Sequence, residues 1–349
     1  MLLLLLTAAV IATAVGIFAH TRPLEKEPSI GLIPGLAHCR PLSPWPWREW
    51  EYFTCKPDVR FLLRQEIWER FERRPDPVPV IMNWYGGTRL QVQMGNELSR
   101  SLFVIGAFEA NEFAFLDQYL RPGMVFVDAG AHEGLYSVFA AIRTAPGGRV
   151  LAIEPSARER SICEANLELN SCAATVIPCA LAAAEGEAKF LLAQGHRSGH
   201  NTLGAFAWGG VHTASRQTVS VRSLDSLAAE YGLERLDVLK MDIEGAETQA
   251  LRGGVRVFGE LRPVVIVEVS PRSLEAQGSS REELLATFEE LGYGLHHFAY
   301  ETGLLAPGAD GQTGDNLVAI PKELASLMNE SWNPMVSWLK GVATLREMD

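Results

Sequence analysis

The chain has 349 residues, of which 47% are hydrophobic and 21% charged, and this is the composition of an ordinary globular protein with room for one large α/β domain and additions. Its net charge of −11 argues against a polyanion-binding surface, so we do not expect nucleic acid as a partner. The five cysteines are odd in number and show no C-x-x-C spacing, so they predict neither a zinc site nor a disulfide framework.

Residues 1–19 form an uncharged segment that contains five consecutive leucines and is nearly long enough to span a bilayer. A signal peptide would have a charged region before its apolar run, and this segment has none. The nearest basic residues, Arg22, Lys26 and Arg40, follow the segment, and the positive-inside rule then puts the rest of the chain on the cytoplasmic side. We therefore expect a membrane anchor with the main domain in the cytoplasm; export through a signal peptide and a soluble cytoplasmic chain are the alternatives.

Residues 20–77 are rich in Pro, Trp and charge and predict an N-terminal extension, in which 61–74 has the pattern of a helix. Residues 78–85 and 89–94 then alternate in the manner of two strands around a pair of glycines, which predicts a β-hairpin. A helix over 109–120 precedes the first strand of the main domain.

The organising motif starts with a buried strand over 125–127. It continues with Asp128 and a turn that contains Gly130 and Gly134, and a helix begins at Leu135. Glycine lets a ligand approach the bare backbone, and the start of the helix supplies unpaired N–H groups. The turn reads D-x-G-x-x-x-G and lacks the third glycine of the dinucleotide fingerprint, which disfavours a nicotinamide dinucleotide.

A second buried strand over 150–153 ends in Glu154, Pro155 and Ser156. An acidic residue at this tip is where a ribose diol finds its carboxylate partner. The aspartate–glycine turn and this glutamate together favour S-adenosylmethionine (SAM), which has a ribose but no phosphate. The alternative is that the glycines only make a tight turn and that Glu154 lies on the surface.

The elements that follow predict a parallel sheet with right-handed crossovers. We expect a third strand over 174–181, a fourth over 236–240, a fifth over 263–269, and an antiparallel pair over 293–300 and 316–320. The polar, glycine-rich residues 195–202 are either a lid on the acceptor side or an ordinary surface loop.

Three carboxylates surround a glycine turn directly after the fourth strand. Like charges at this distance raise at least one pKa, as a general base requires, so we expect Asp242 to be the base, with Glu244 beside it and His132 as second choice. We expect Glu247 to favour the start of the next helix instead. Asp242, Glu244 and Glu268 could bind Mg²⁺, but no cluster in the sequence demands a metal, and we predict none.

These motifs together resemble the FkbM family of SAM-dependent methyltransferases over residues 78–321. The resemblance is carried by D-A-G-A-H-E-G-L-Y-S from Asp128, by E-P-S from Glu154, by K-M-D-I-E-G-A-E from Lys240 and by V-E-V around Glu268. It implies a Rossmann-like class I methyltransferase fold, with a seven-stranded, mostly parallel sheet whose last strand is antiparallel. It also implies O-methylation of a hydroxyl on a sugar, a glycan or glycolipid, or a natural product.

The resemblance also assigns positions in the site. It places Asp128, Gly130 and Glu154 in the cofactor pocket and Asp242 beside the transferred methyl group. His132 stands where many relatives carry asparagine, and both side chains can hydrogen-bond the methionine end of SAM.

The sequence thus predicts a methyltransferase domain over 78–321 and a helical tail over 322–349, behind the anchor and the extension. The predicted catalytic residues are Asp242, His132 and Glu244, and the predicted cofactor-binding residues are Asp128, Gly130, His132, Gly134, Glu154, Pro155, Ser156 and Asp242. The rival functions are an NAD(P)-dependent oxidoreductase and a membrane-tethered protein that binds SAM without catalysis. The oligomeric state is not predicted.

Overall fold

The computed structural model of the chain describes residues 59–74, 76–84, 88–105, 108–299, 305–309 and 316–325. The predicted anchor, the tryptophan-rich part of the extension and the tail beyond residue 325 lie outside these ranges. Among the described helices none is both long and apolar enough to cross a membrane.

The strands in the described ranges are β1 (Val78–Asn83), β2 (Arg89–Met94), β3 (Val125–Ala129), β4 (Arg149–Ile153), β5 (Thr175–Ile177), β6 (Cys179–Leu181), β7 (Gly186–Ala193), β8 (Thr213–Arg222), β9 (Val238–Met241), β10 (Val264–Glu268), β11 (Tyr293–Phe298), β12 (Leu305–Pro307) and β13 (Asn316–Pro321). The α-helices are α1 (Val59–Glu72), α2 (Glu97–Arg100), α3 (Ala110–Tyr119), α4 (Leu135–Thr144), α5 (Ala157–Leu169), α6 (Leu224–Glu230), α7 (Glu247–Arg252), α8 (Pro271–Ala276) and α9 (Arg281–Glu290). The described ranges also contain two π-helical turns, Ser101–Ile105 and Val257–Leu261, and a 3₁₀ segment, Gly195–His200. Residues 322–325, at the end of the last range, are helical as well.

The main sheet has the strand order β12-β11-β13-β10-β9-β3-β4-β5. Strands β10, β9, β3, β4 and β5 are parallel, whereas β13 runs antiparallel to both of its neighbours. This is the predicted Rossmann-like class I arrangement with an antiparallel last strand. The short strand β12 adds an eighth member at the outer edge, beyond β11.

Both faces of this sheet are covered, which explains why its central strands are apolar at nearly every position. Phe126, Val238 and Ile266 pack into the core on one face of the sheet. Their neighbours Val127 and Leu239 pack into the core on the other face, because successive side chains of a strand point to opposite sides.

The third predicted strand, over 174–181, is wrong as a single element. Its first half is β5 of the main sheet, and its second half is β6, which pairs with β8 in a separate sheet of order β6-β8-β7. The chain divides at Pro178, which has no N–H to donate to a strand ladder.

The predicted hairpin of β1 and β2 is confirmed, and two asparagines join it to helix α5 of the main domain. Asn166 accepts a hydrogen bond from the Gln91 N–H at 2.6 Å, and Asn170 accepts one from the Arg89 N–H at 2.9 Å. Because both asparagines lie on or at the end of α5, the hairpin is held against the same helix that follows Glu154 along the chain.

Candidate active site

A cavity of about 320 Å³ opens at the carboxyl ends of β3, β4, β9 and β10, the edge at which open α/β sheets bind ligands. Most of the predicted site residues line it. The lining includes Gly130, His132, Glu154, Pro155, Asp242 and Glu244, together with Lys240 and Glu268. Asp128, Gly134 and Ser156 are not part of the lining.

Gly130 allows the loops after β3 and β9 to touch. Its φ is +80°, and a Cβ atom there would fall 1.8 Å from the carbonyl oxygen of Asp242. A side chain at this position would therefore push Asp242 away from the cavity.

Gly134 serves packing rather than the lining of the cavity. A Cβ atom at this position would fall 2.8 Å from Sγ of Cys163, which lies on α5. The second glycine of the motif thus lets α4 lie close against α5.

Glu154 is buried, and its carboxylate faces the turn that follows β3. One oxygen accepts the backbone N–H of His132 at 2.8 Å, and the other accepts the backbone N–H of Ser156 at 2.7 Å. Burial raises the pKa of Glu154 to about 8, although these two hydrogen bonds oppose the shift. The alternative interpretation of Glu154 as a surface residue is therefore wrong.

Ser156 begins α5, but not through a capping box, although the spacing of Ser156 and Glu159 is that of the motif. In that motif the glutamate three residues on would accept the Ser156 N–H, and here Glu154 accepts it. The Ser156 hydroxyl donates instead to Glu159. Ser156 therefore orients Glu154 from outside the cavity, whereas its neighbour Pro155 forms part of the wall.

His132 adopts a backbone φ of +49° and presents its ring to the 3₁₀ segment, with Nε2 2.9 Å from the Ser198 hydroxyl. Asn96 donates a hydrogen bond to the same hydroxyl oxygen at 2.6 Å, so the Ser198 hydroxyl can donate its proton to Nε2 of His132. Nε2 is then an acceptor, and the histidine proton lies on Nδ1. Nδ1 is buried and has no partner among the described residues. Burial lowers the pKa of His132, so the ring is neutral at pH 7.

Asp128 is buried behind the residues that line the cavity and does not line it itself. Its side chain is buried and accepts a hydrogen bond from the Ser137 hydroxyl at 2.6 Å, and its other oxygen has no partner among the described residues. Burial raises its pKa. Asp128 is placed to brace the turn and α4 rather than to form the wall.

Lys240 was not among the predicted site residues, yet it is the buried cation of the site. Its Nζ lies 2.8 Å from Asp242 and 4.9 Å from the centre of the Tyr136 ring. Burial alone would lower the pKa of Lys240, but the carboxylates of Asp242, Glu109 and Asp128 raise it above its usual value. A lysine inside an otherwise apolar strand was the signal in the sequence for this role.

Glu109 and Tyr136 form a second wall that sequence reasoning missed. The Tyr136 hydroxyl donates to Glu109 at 2.5 Å, and Asn316 donates to the other oxygen of Glu109 at 2.7 Å. Glu109 has a φ of +44° immediately before α3, and burial raises its pKa. These residues come from three distant parts of the chain, so no local pattern connects them.

The loop after β9 and the end of β10 bring three carboxylates together. Asp242, Glu244 and Glu268 each offer one oxygen atom, and these atoms lie within 4.8 Å of one another. Burial and the neighbouring carboxylates raise the pKa of Glu268 well above its usual value. Burial likewise raises the pKa of Glu244.

Glu247 begins α7, where it was expected. Its carboxylate accepts the backbone N–H groups of Ile243 and Gly245, at 3.0 and 3.3 Å, and so closes the turn that carries Asp242. Burial raises its pKa to about 7.

Residues 195–202, predicted to be either a lid on the acceptor side or an ordinary surface loop, reach the cavity, and residues 195–200 form a 3₁₀ segment there. Ser198, Gly199 and His200 line the wall. Thr202 donates to the carbonyl oxygen of Glu244 at 3.3 Å, which ties the segment to the acidic loop.

Comparison with known proteins agrees with this architecture. The model of the methyltransferase FkbM domain matches residues 128–295. The methyltransferase sdnD of Sordaria araneosa is 30% identical over 196 residues, which are 48% of this chain and 73% of that protein. The AMB antimetabolite synthetase AmbE of Pseudomonas aeruginosa is 31% identical over 169 residues, which are 38% of this chain but only 8% of that much longer protein.

Solved structures of methyltransferases are also similar to this chain. The methyltransferase FkbM from Methylobacillus flagellatus has a TM-score of 0.36 at 17% identity, and the match covers 63% of this chain and 54% of that one. A SAM-dependent O-methyltransferase from Thermotoga maritima has a TM-score of 0.34 at 13% identity, covering 72% of this chain and 78% of that one.

Proposed function

The chain belongs to the FkbM methyltransferase family, and we propose that it transfers a methyl group from SAM to a hydroxyl group of a small molecule. The observation that carries this proposal is the position of Glu154, at the tip of β4 and in the wall of the cavity. The acceptor class that we propose is a sugar, a glycan or glycolipid, or a natural product.

The residues of the turn fit the adenosine part of SAM. When ionised, Glu154 has about four lone-pair positions, and it uses one on each oxygen for the N–H groups of His132 and Ser156. Hydroxyl groups that donate to the ionised form would stabilise it and so lower its raised pKa. The remaining positions can accept two hydroxyl protons, which matches the two adjacent hydroxyls of a ribose. Gly130 leaves the backbone bare beside them.

His132 fits the methionine end of the cofactor better than it fits a base. Its Nε2 is occupied by Ser198, and its Nδ1 is a buried polar atom without a partner among the described residues. An N–H at this position would donate to a carboxylate. We therefore propose that His132 holds SAM and that Asp242 removes the proton.

When bound, SAM supplies an electrophilic methyl group on a positively charged sulfur. The chain itself must align the acceptor oxygen with that methyl group and take the proton from the hydroxyl. Asp242 lies in the cavity wall with its side chain 29% exposed, and Lys240 holds one of its oxygens. Its orientation is thus set before the acceptor arrives.

The net charge of −11 and the acidic wall of the cavity support an uncharged acceptor over a polyanion. We therefore propose that nucleic acid is not the acceptor. For localisation we propose that residues 1–19 anchor the chain with the methyltransferase domain in the cytoplasm, where SAM is made. Fractionation of cells that express the full chain would test this, since an anchored chain resists extraction by high salt.

The function is tested by methyl transfer into a cell extract. The full chain is incubated with SAM labelled in the methyl group, and the extract is then separated into small-molecule, lipid, glycan, protein and nucleic-acid fractions. We expect label in one of the first three fractions, in a linkage that resists mild alkali, as an ether does and an ester does not. Label in nucleic acid would refute the proposed acceptor, and incorporation no greater than that with Asp242→Asn would refute the transfer.

A further inference from the structure

The carboxylates of Asp242, Glu244 and Glu268 have the arrangement of a cation site. They come from the end of β9, from the loop after it and from the end of the neighbouring strand β10. We propose that these three residues bind one hard divalent cation, of the Mg²⁺ or Mn²⁺ class, in the wall of the cavity. The binding stands by itself, whereas the cation's role, to hold the acceptor oxygen, rests on the proposed function.

The distances between the oxygens agree with a shared ion. Around an octahedral Mg²⁺, adjacent ligand oxygens are about 3.0 Å apart and opposite ones about 4.2 Å apart. One oxygen from each of the three carboxylates lies within 4.8 Å of the others. The three carboxylates can therefore share one such ion if their side chains move closer together by up to about 1–2 Å.

Glu268 supplies an independent indication that something is bound here. It lines the cavity as a partly buried residue, and its Oε2 atom is shielded from solvent without a hydrogen-bond partner among the described residues. A buried carboxylate oxygen without a partner costs free energy of folding, so buried charges are usually paired or bind a metal. A cation between Glu268 and its two neighbours would satisfy this atom.

The positive groups that the structure describes around the cluster offset only part of its negative charge. Lys240 forms its ion pair with Asp242, at 2.8 Å. The ring of His200 lies 3.6 Å from Glu244 and 3.9 Å from Glu97, which is too far for a hydrogen bond. Glu109 brings a further carboxyl group to this end of the cavity.

A cation in this place would act on the acceptor. Mg²⁺ keeps several of its coordination positions for water or substrate oxygen, and a hydroxyl bound to it has a lower pKa. The carboxylates would thus position the acceptor oxygen in addition to any direct part in proton removal.

The test is binding of Mn²⁺ to the full chain without SAM, followed by electron paramagnetic resonance, in which bound Mn²⁺ loses the signal of the free ion. We expect one bound Mn²⁺ per chain that Mg²⁺ displaces. Glu268→Gln should weaken binding by at least about tenfold, because it removes one of three charged ligands. Glu290→Gln, which changes an exposed glutamate of α9, is the matched control and should bind as the native chain does.

Thermal unfolding makes the same test independent of activity. Mn²⁺ should raise the melting temperature of the native chain and of Glu290→Gln, and it should not raise that of Glu268→Gln. If Glu268→Gln does not fold, Glu244→Gln takes its place in both measurements. An absence of stoichiometric Mn²⁺ binding, or binding that survives both substitutions, would overturn the proposal.

These outcomes are separable from the proposed function. SAM binding in the presence of EDTA, without Mn²⁺ binding, would leave the methyltransferase proposal intact and refute the cation site. Mn²⁺ binding at the three carboxylates without any SAM binding would support the cation site and refute the methyltransferase proposal.

Discussion

The backbone of Gly130 lies against the carbonyl group of Asp242, so closely that a Cβ atom at residue 130 would come within 1.8 Å of the carbonyl oxygen. This contact joins the loop that follows β3 to the loop that follows β9. It places the turn expected to hold the cofactor directly beside the residue expected to remove the proton.

Substitution of Gly130 tests this contact. Gly130→Ala should lower the free energy of unfolding by at least about 3 kcal/mol, because it adds a steric clash to the strain of a positive φ. Gly123→Ala is the matched control: its φ is +86°, but a Cβ atom there meets nothing within 4 Å, so only the strain of about 1–2 kcal/mol applies. Urea unfolding of both variants measures the difference, and equal losses would mean that the contact with Asp242 is unimportant.

Substitution of Glu154 tests the ribose site. Glu154→Gln should weaken SAM binding by about tenfold to a hundredfold, because hydrogen bonds to a charged acceptor contribute about 1.5–3 kcal/mol. The amide can accept from only one of the two backbone N–H groups that the carboxylate now satisfies, so some stability should be lost as well. Titration calorimetry with SAM measures the affinity, and Glu187→Gln, an exposed glutamate on β7, is the control.

An unchanged affinity in Glu154→Gln, with the variant folded by circular dichroism, would show that the ribose does not bind there. A loss of similar size in the control Glu187→Gln would show that the assay reports general charge rather than the site.

Substitution of Asp242 separates binding from chemistry. Asp242→Asn should lower kcat by about a hundredfold or more, the usual contribution of a general base, while SAM binding changes little. The amide cannot take up the hydroxyl proton, but it is nearly the same size as the carboxylate. Initial rates with labelled SAM and calorimetry on the same preparation provide the two quantities.

Full activity in Asp242→Asn would remove this residue as the base and leave proton removal to another group or to water. A loss of SAM affinity as large as the loss of kcat would instead assign Asp242 to the cofactor.

The pH dependence of stability follows from the buried glutamates. Burial raises the pKa of Glu133 to about 8 from a usual value of 4.5, and the nearby Glu159 carboxylate raises it further. Between these two pH values the folded chain holds a proton that the unfolded chain has released. The free energy of unfolding should therefore fall as the pH rises from about 5 to about 8 and level off above that.

Glu133→Gln should flatten this profile, because an amide does not titrate. We expect the variant to gain stability relative to the native chain at about pH 8, on the order of a few kcal/mol, and to gain little at about pH 5. Urea unfolding at both pH values checks the sign. The exposed Glu290→Gln should keep the native slope, and a native chain that becomes more stable toward pH 8 would contradict the burial of these groups.

Local patterns in the sequence were sufficient for the sheet and for most of the site. The apolar runs at 150–153 and 236–240 are strands at the expected places, and the acidic residues behind them reach the same cavity. This succeeded because the carboxyl ends of parallel strands lie at one edge of a sheet, so the residue after each run has a known location.

Local patterns were insufficient where the role of a residue depends on how deeply its side chain is buried or on partners far away in the sequence. Asp128 lies at the carboxyl end of its strand, as Glu154 does, yet its side chain is buried behind the cavity wall against Ser137. Ser137 lies on α4, so the packing of this helix decides whether the side chain reaches the cavity. The wall formed by Glu109 and Tyr136 also had no signal, since a hydrogen bond between residues 27 positions apart leaves no spacing in the sequence.

By itself, then, the sequence determined the fold class, the edge of the sheet that carries the site and the acidic residues that mark it, because these follow from hydrophobic periodicity and from the residues that end each strand. Only the tertiary structure decided which side chains face the cavity, that Lys240 neutralises Asp242, and that Glu268 is brought within reach of Asp242 and Glu244. Those relationships depend on the order in which the strands lie side by side, and that order is set by the packing of the whole domain.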